Sequence, residues 1–184
     1  QELKDTEFRD LFLGDPTQRL QQAAATAGPQ DCNIETDLQV LIPDGYVSNV
    51  SERLQLYSKL DRATGPEPLR KLLAGMVDRF GPMPPEVEQL ADIVRLRWQG
   101  RHAGFERLTY KKNVLKGYIP AENNEAYFQG DTFGNILSYV QTHPHSATLK
   151  ERKQQLILSL DNVPSVTAAK RLLSELGSEE PVGV

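Results

Sequence analysis

The chain has 184 residues, 39% of them apolar and 25% charged, with a formal net charge of −4. That length allows one domain with a sizeable core plus an appendage, and the composition excludes a disordered chain. The acidic balance argues against a whole-domain nucleic-acid footprint, which needs a basic surplus, while leaving room for a local basic patch.

Cys32 is the single cysteine, so no internal disulfide can form, and a reducing cytosol is the expected compartment. No apolar run approaches the roughly 18 residues of a membrane span, and no signal peptide opens the chain. A cytoplasmic location without a membrane partner is therefore expected. The chain starts with Gln1 rather than Met, so a piece of a longer protein is expected.

Residues 1–31 hold few large apolar side chains after Leu13. Asp15-Pro16 is a helix start and Gly28-Pro29 a stop, which predicts a short Ala/Gln-rich helix in a leader or interdomain linker. "CNIETDLQV" then alternates, with Cys32, Ile34, Thr36, Leu38 and Val40 on one side, as in a half-buried strand. Pro43-Asp44-Gly45 turns the chain. Asn49 and Glu52 have capping-box spacing, and Val50, Leu54, Tyr57 and Leu60 follow at helical spacing to about Ala63.

Leu69, Leu72, Leu73, Met76, Val77 and Phe80 form one narrow stripe on a second helix, which Gly81 stops. Pro84-Pro85 open a third, with Val87, Leu90, Ala91, Val94 and Trp98 inward and Gly104 at its end. "FERLTYKKNVLKGYIP" predicts a hairpin turning near Lys112-Asn113, and "EAYFQG" a further strand. A helix over "DTFGNILSYVQTHP" places Phe133, Ile136, Leu137 and Val140 inward. "ATLKERKQQLILSLDNV" predicts a second hairpin, Pro164 to Leu176 a last helix, and residues 177–184 a flexible tail. The fold class is α+β, with helices in the first half and antiparallel hairpins and further helices in the second.

Catalytic chemistry finds no assembled site. Neither GxxxxGK(S/T) nor GxGxxG is present, so the chain is not an ATPase on its own. His143-Pro144-His145 reads as a turn without a third metal ligand, and Cys32 as a small core residue. No cofactor, metal or enzymatic activity is expected.

"MVDRFGPMPPEVEQL" (Met76 to Leu90) is the most specific stretch. On a 100° wheel Asp78 lies almost opposite the apolar stripe, with Lys71 and Gly75 beside it and Arg79 on the flank. Gly75 in an exposed helix interior costs about 1 kcal/mol relative to Ala. A solvated helix face explains the charges; so does a partner surface. An alternative function is an accessory DNA-binding module using Arg95, Arg97 and Arg101 near a helix end, with the hairpin lysines Lys111 and Lys112.

Two blocks, "DLQVLIPDGYVSNVSERLQLYSKL" and "VDRFGPMPPEVEQLADIVRLR", make the chain over about residues 32–176 resemble the C-terminal (TRCF) domain of bacterial transcription-repair coupling factors. The resemblance implies a parent DNA translocase that removes stalled RNA polymerase and recruits excision repair. It makes residues 1–31 a linker leaving the motor and residues 32–176 a regulatory domain without activity of its own. It further implies an intramolecular clamp on an N-terminal UvrB-like module, which masks that module's UvrA-binding surface. The clamp contact of the family falls on an "ExxDR" spacing, matched here by Asp78 and Arg79, with Gly75 where the acidic residue would stand.

Overall fold

In the computed structural model the described residues are 32–120 and 125–177. The leader with its helix, and all but the first residue of the tail, lie outside them. The elements in chain order are β1 (Asn33–Thr36), α1 (Val50–Arg62), α2 (Pro66–Phe80), α3 (Pro85–His102), β2 (Arg107–Lys111), β3 (Val114–Pro120), α4 (Glu125–Phe128), α5 (Asp131–Thr142), β4 (Ala147–Arg152), β5 (Gln155–Leu160) and α6 (Val166–Leu176).

The class is α+β, but the sheet is mixed rather than purely antiparallel. Its order is β1-β2-β3-β5-β4, and β1 runs parallel to β2. Three helices separate those two strands, long enough for the crossover that a parallel pair requires. β1 is also shorter than the alternation predicts. The Leu38 amide donates to Thr36 Oγ1 at 3.1 Å, and Asp37 accepts the Lys112 amide at 3.0 Å. These short polar side chains turn the backbone out of the ladder, although Leu38 and Val40 still pack on the core.

Both hairpins form with two-residue turns. Lys112-Asn113 have φ of 51° and 61°, and Lys153-Gln154 have 50° and 60°. Positive φ at both central residues matches the strand twist, here without glycine. "EAYFQG" gives no strand. Residues 125–128 form helix α4, because Tyr127, Phe128 and Phe133 close into a ring cluster with centroids 5.0–5.8 Å apart. Tyr127 also donates to the Ala103 carbonyl at 2.8 Å and lies over Gly104, where a Cβ would meet its ring at 2.3 Å.

Two apolar clusters build the core. One packs Leu56, Leu60, Leu69, Leu73 and Met76 of α1 and α2 against Val87, Ala91 and Val94 of α3. The other lies between the sheet and α3, α5 and α6, with Leu108, Leu115, Leu158, Ile136 and Leu173 at its centre. Helix α3 is buried on two faces, since Ile93 and Leu96 turn to the sheet cluster while Val87 and Val94 turn to the helical one. The single stripe read along α3 captured only the latter. Within the other stripes, Val77 and Leu137 were expected inward and are exposed at 41% and 39%. Each sits at the edge of its stripe, where the helix has already curved away from the core.

Candidate interaction site

The site is a corner and the helix face that it aims. Gly81 stops α2 at φ 89° and ψ −166°, a region essentially restricted to glycine. Its amide donates to the Val77 carbonyl at 2.9 Å, and its carbonyl accepts the Tyr46 hydroxyl at 2.9 Å. The Tyr46 ring meets Phe80 edge-on, with centroids 5.8 Å apart. The prolines that follow start α3 directly, with Pro84 as N-cap and Pro85 as first helical residue.

The loop that delivers Tyr46 is itself stapled. The amides of Tyr46 and Val47 both donate to the Pro43 carbonyl at 3.0 Å. Arg53, buried on α1, donates to the Val47 carbonyl at 2.7 Å and lies 3.0 Å from Asp44. Tyr57 accepts the Ile42 amide at 2.6 Å. Burial raises the Tyr57 pKa, opposed by that N–H and by the Arg53 charge. The two sequence blocks therefore form one unit, in which the "IPDGY" loop braces the "DRFGP" corner.

On the outer face of α2, Lys71, Gly75, Asp78 and Arg79 are all exposed. Arg79 forms an ion pair with Glu52 of α1, and its guanidinium lies 4.8 Å from the Phe80 ring centroid. Asn49 caps α1 by accepting the Glu52 amide at 3.0 Å, which leaves the Glu52 carboxylate to reach across to α2. The Asp78 carboxylate makes no ion pair or hydrogen bond with any described residue. A Cβ at Gly75 would meet nothing within 4 Å, so no close approach inside the described chain accounts for that glycine.

The basic residues near the end of α3 are differently placed. Arg97 is 12% exposed and donates to the Asp61 carboxylate and carbonyl, both at 2.8 Å. Arg95 pairs with Asp92 at 2.8 Å, a carboxylate that also takes Lys170 at 2.7 Å. Trp98 is half-buried and donates to the Ala63 carbonyl at 3.1 Å. Arg101 is exposed, Lys111 pairs with Glu35 at 3.1 Å, and Lys112 stands at the hairpin tip. Internal ion pairs thus hold Arg95 and Arg97, and Arg97 is withdrawn from the surface.

His143 stacks on Tyr139, with centroids 4.1 Å apart, and no group of three or more His, Cys, Asp or Glu among the described residues is placed to hold a metal ion. Cys32 is 1% exposed in the sheet cluster. No helix among the described residues is long and apolar enough to cross a membrane.

Periodicity found the exposed face of α2 but missed Tyr46, Glu52 and Arg53. The only sequence signal for their involvement was that both blocks occur in one chain.

Comparison with known proteins bears on these two blocks. Residues 36–129 match the TRCF domain family. The transcription-repair-coupling factor of Rickettsia bellii is 32% identical over 146 residues, covering 78% of this chain and 12% of that protein. The factor of Myxococcus xanthus is 37% identical over 104 residues, covering 50% of this chain and 9% of that protein. The chain thus spans about an eighth or less of these relatives' length. The crystal structure of the C-terminal domain of a transcription-repair coupling factor superposes with a TM-score of 0.61 at 17% identity, covering 82% of this chain and 96% of that one. The matches fall on this domain and not on an ATPase region.

Proposed function

Because the chain belongs to the TRCF domain family, we propose that it acts as a non-catalytic regulatory domain of a transcription-repair coupling factor. In this reading it is an intramolecular clamp that docks on the factor's N-terminal UvrB-like module and masks the surface through which that module binds UvrA. Residues 32–176 form the clamp, and residues 1–31 link it to a preceding motor. In its clamp role the domain reaches UvrA, RNA polymerase and DNA through the whole factor.

The observation that carries this reading is the unpartnered Asp78 carboxylate beside an Arg79 already held in place by Glu52 and Phe80. An exposed carboxylate and a preorganised guanidinium on one rigid helix end suit charge-assisted, orientation-specific contacts. Lys71 and Gly75 flank them, and Gly75 leaves room for a partner side chain. A tether supplies a high effective concentration, so such a contact can be weak between separate molecules and still hold. Release then requires a few kcal/mol of preference for the open state.

The test is the double substitution Asp78→Ala with Arg79→Ala in the full-length factor. The variant should fold normally and bind UvrA more tightly than the wild type. UvrA binding held at the wild-type level would remove these two residues from the clamp.

A further inference from the structure

The five-stranded sheet has one face buried under helices and one that the described helices leave open. The strand registers place Arg107, Tyr118, Ile157 and Lys150 in one row across the open face. The next row brings Lys116 between Thr109 and Ser159, and Lys111 and Arg152 stand towards opposite ends. Tyr118 and Ile157 belong to neither apolar cluster, and Ser159, on an interior strand, is half-exposed. Such partial exposure at the middle of a sheet is what an uncovered face gives.

The charge on this face runs against the rest of the molecule. The chain carries 25 acidic and 21 basic residues. Among the described residues, the open face holds the cations Arg107, Lys111, Lys116, Lys150 and Arg152 against the carboxylates of Glu35 and, at its Gln155 end, Glu106, which accepts the Gln155 side-chain amide. Glu35 lies 3.5 Å from Arg107 and 3.1 Å from Lys111. Lys116, Lys150 and Arg152 make no ion pair with a described residue. Cations concentrated on one face create a local positive potential whatever the net charge.

An aromatic surface sits among them. The Arg107 guanidinium lies over the Tyr118 ring at 4.0 Å from its centroid. A flat ring and guanidinium flanked by unpaired lysines offer stacking to a base and ion pairing to the phosphates on either side. An acidic peptide would use the cations and leave the stack idle. Duplex DNA fits poorly, because five strands at about 4.8 Å spacing make a platform about 19 Å across, wider than the roughly 12 Å major groove.

We propose that the open sheet face, centred on Tyr118, Arg107 and Lys116, is a binding platform for single-stranded nucleic acid. It is separate from the outer face of α2 and does not depend on the clamp.

The probe is a labelled oligothymidylate of about 15 nucleotides, titrated with the 184-residue chain between about 50 and 200 mM salt. Three unpaired cations predict a log–log salt slope near −2, at about 0.7 per phosphate neutralised on a single strand. Tyr118→Ala should weaken binding at least about fivefold. The exposed pair Lys116→Glu with Lys150→Glu should abolish it while leaving the melting curve unchanged. Absence of binding at the lowest salt, or binding that both variants leave intact, would overturn the proposal. So would a duplex of equal length binding as tightly. Equal competition by polyglutamate, insensitive to Tyr118→Ala, would assign the face to an acidic polypeptide instead.

Discussion

The Tyr46 hydroxyl donates to the Gly81 carbonyl at 2.9 Å, across 35 residues of sequence. This bond joins the loop before α1 to the end of α2, and so sets the direction in which the last turn of α2 presents Asp78 and Arg79. Removing only the hydroxyl, in Tyr46→Phe, should cost about 1 kcal/mol of stability. It leaves the edge-on ring contact with Phe80 in place. Urea denaturation should show a lower midpoint with an unchanged slope.

Two glycines a turn and a half apart should respond in opposite directions. Gly81→Ala forces a side chain into φ 89° and ψ −166°, and should destabilise by about 1–3 kcal/mol. Gly75→Ala places a methyl in open space on an ordinary helix and should stabilise by about 1 kcal/mol. Thermal melts of the two variants beside wild type check both signs.

Arg97 and Arg101 lie one turn apart on α3 but have different roles. Arg97→Ala leaves the half-buried Asp61 carboxylate and carbonyl without their donor and should cost about 1–3 kcal/mol. Arg101 is exposed, and its replacement by Ala should fall within about 0.5 kcal/mol of wild type. Denaturation midpoints distinguish the two.

Stability should decline on the alkaline side. Burial pushes the Tyr127 hydroxyl from 10.0 up to about 12. Below pH 10 it is protonated in both states, and its contribution is complete. Between pH 10 and about 12 the unfolded chain releases the proton first, so stability falls as the pH rises through that window. Tyr46, Tyr57, Tyr110 and Tyr139 are raised in the same direction. Tyr127→Phe should therefore make the alkaline limb shallower without abolishing it, as read from denaturation midpoints across that range.

Much of this architecture is legible from local rules. Asn49 caps α1 by accepting the amide three residues on, and Gly81 ends α2, each as residue type and spacing imply; Ser165 caps α6 in the same way, one residue inside the start expected at Pro164. Both hairpins follow from alternation. What local pattern could not supply is non-local. The parallel pairing of β1 with β2 joins residues more than seventy positions apart. Helix α4 replaces an expected strand because Tyr127 reaches back to Ala103. The second buried face of α3 becomes visible only when the sheet is in place. The same division holds at the candidate site. A helical wheel suffices to expose Asp78 and Arg79, whereas Glu52, which holds Arg79, comes from 27 residues upstream on another helix. The basic residues on α3 illustrate the reverse error: Asp92 stands three residues before Arg95, at ion-pair spacing on a helix, whereas nothing local signals that Asp61, 36 residues upstream, would claim Arg97.

Titrating UvrA against the full-length factor, with and without residues 32–176, tests the masking role most directly. Deletion should tighten UvrA binding, by about tenfold for each 1.4 kcal/mol with which the clamp holds. Equal affinity with and without the domain would contradict masking.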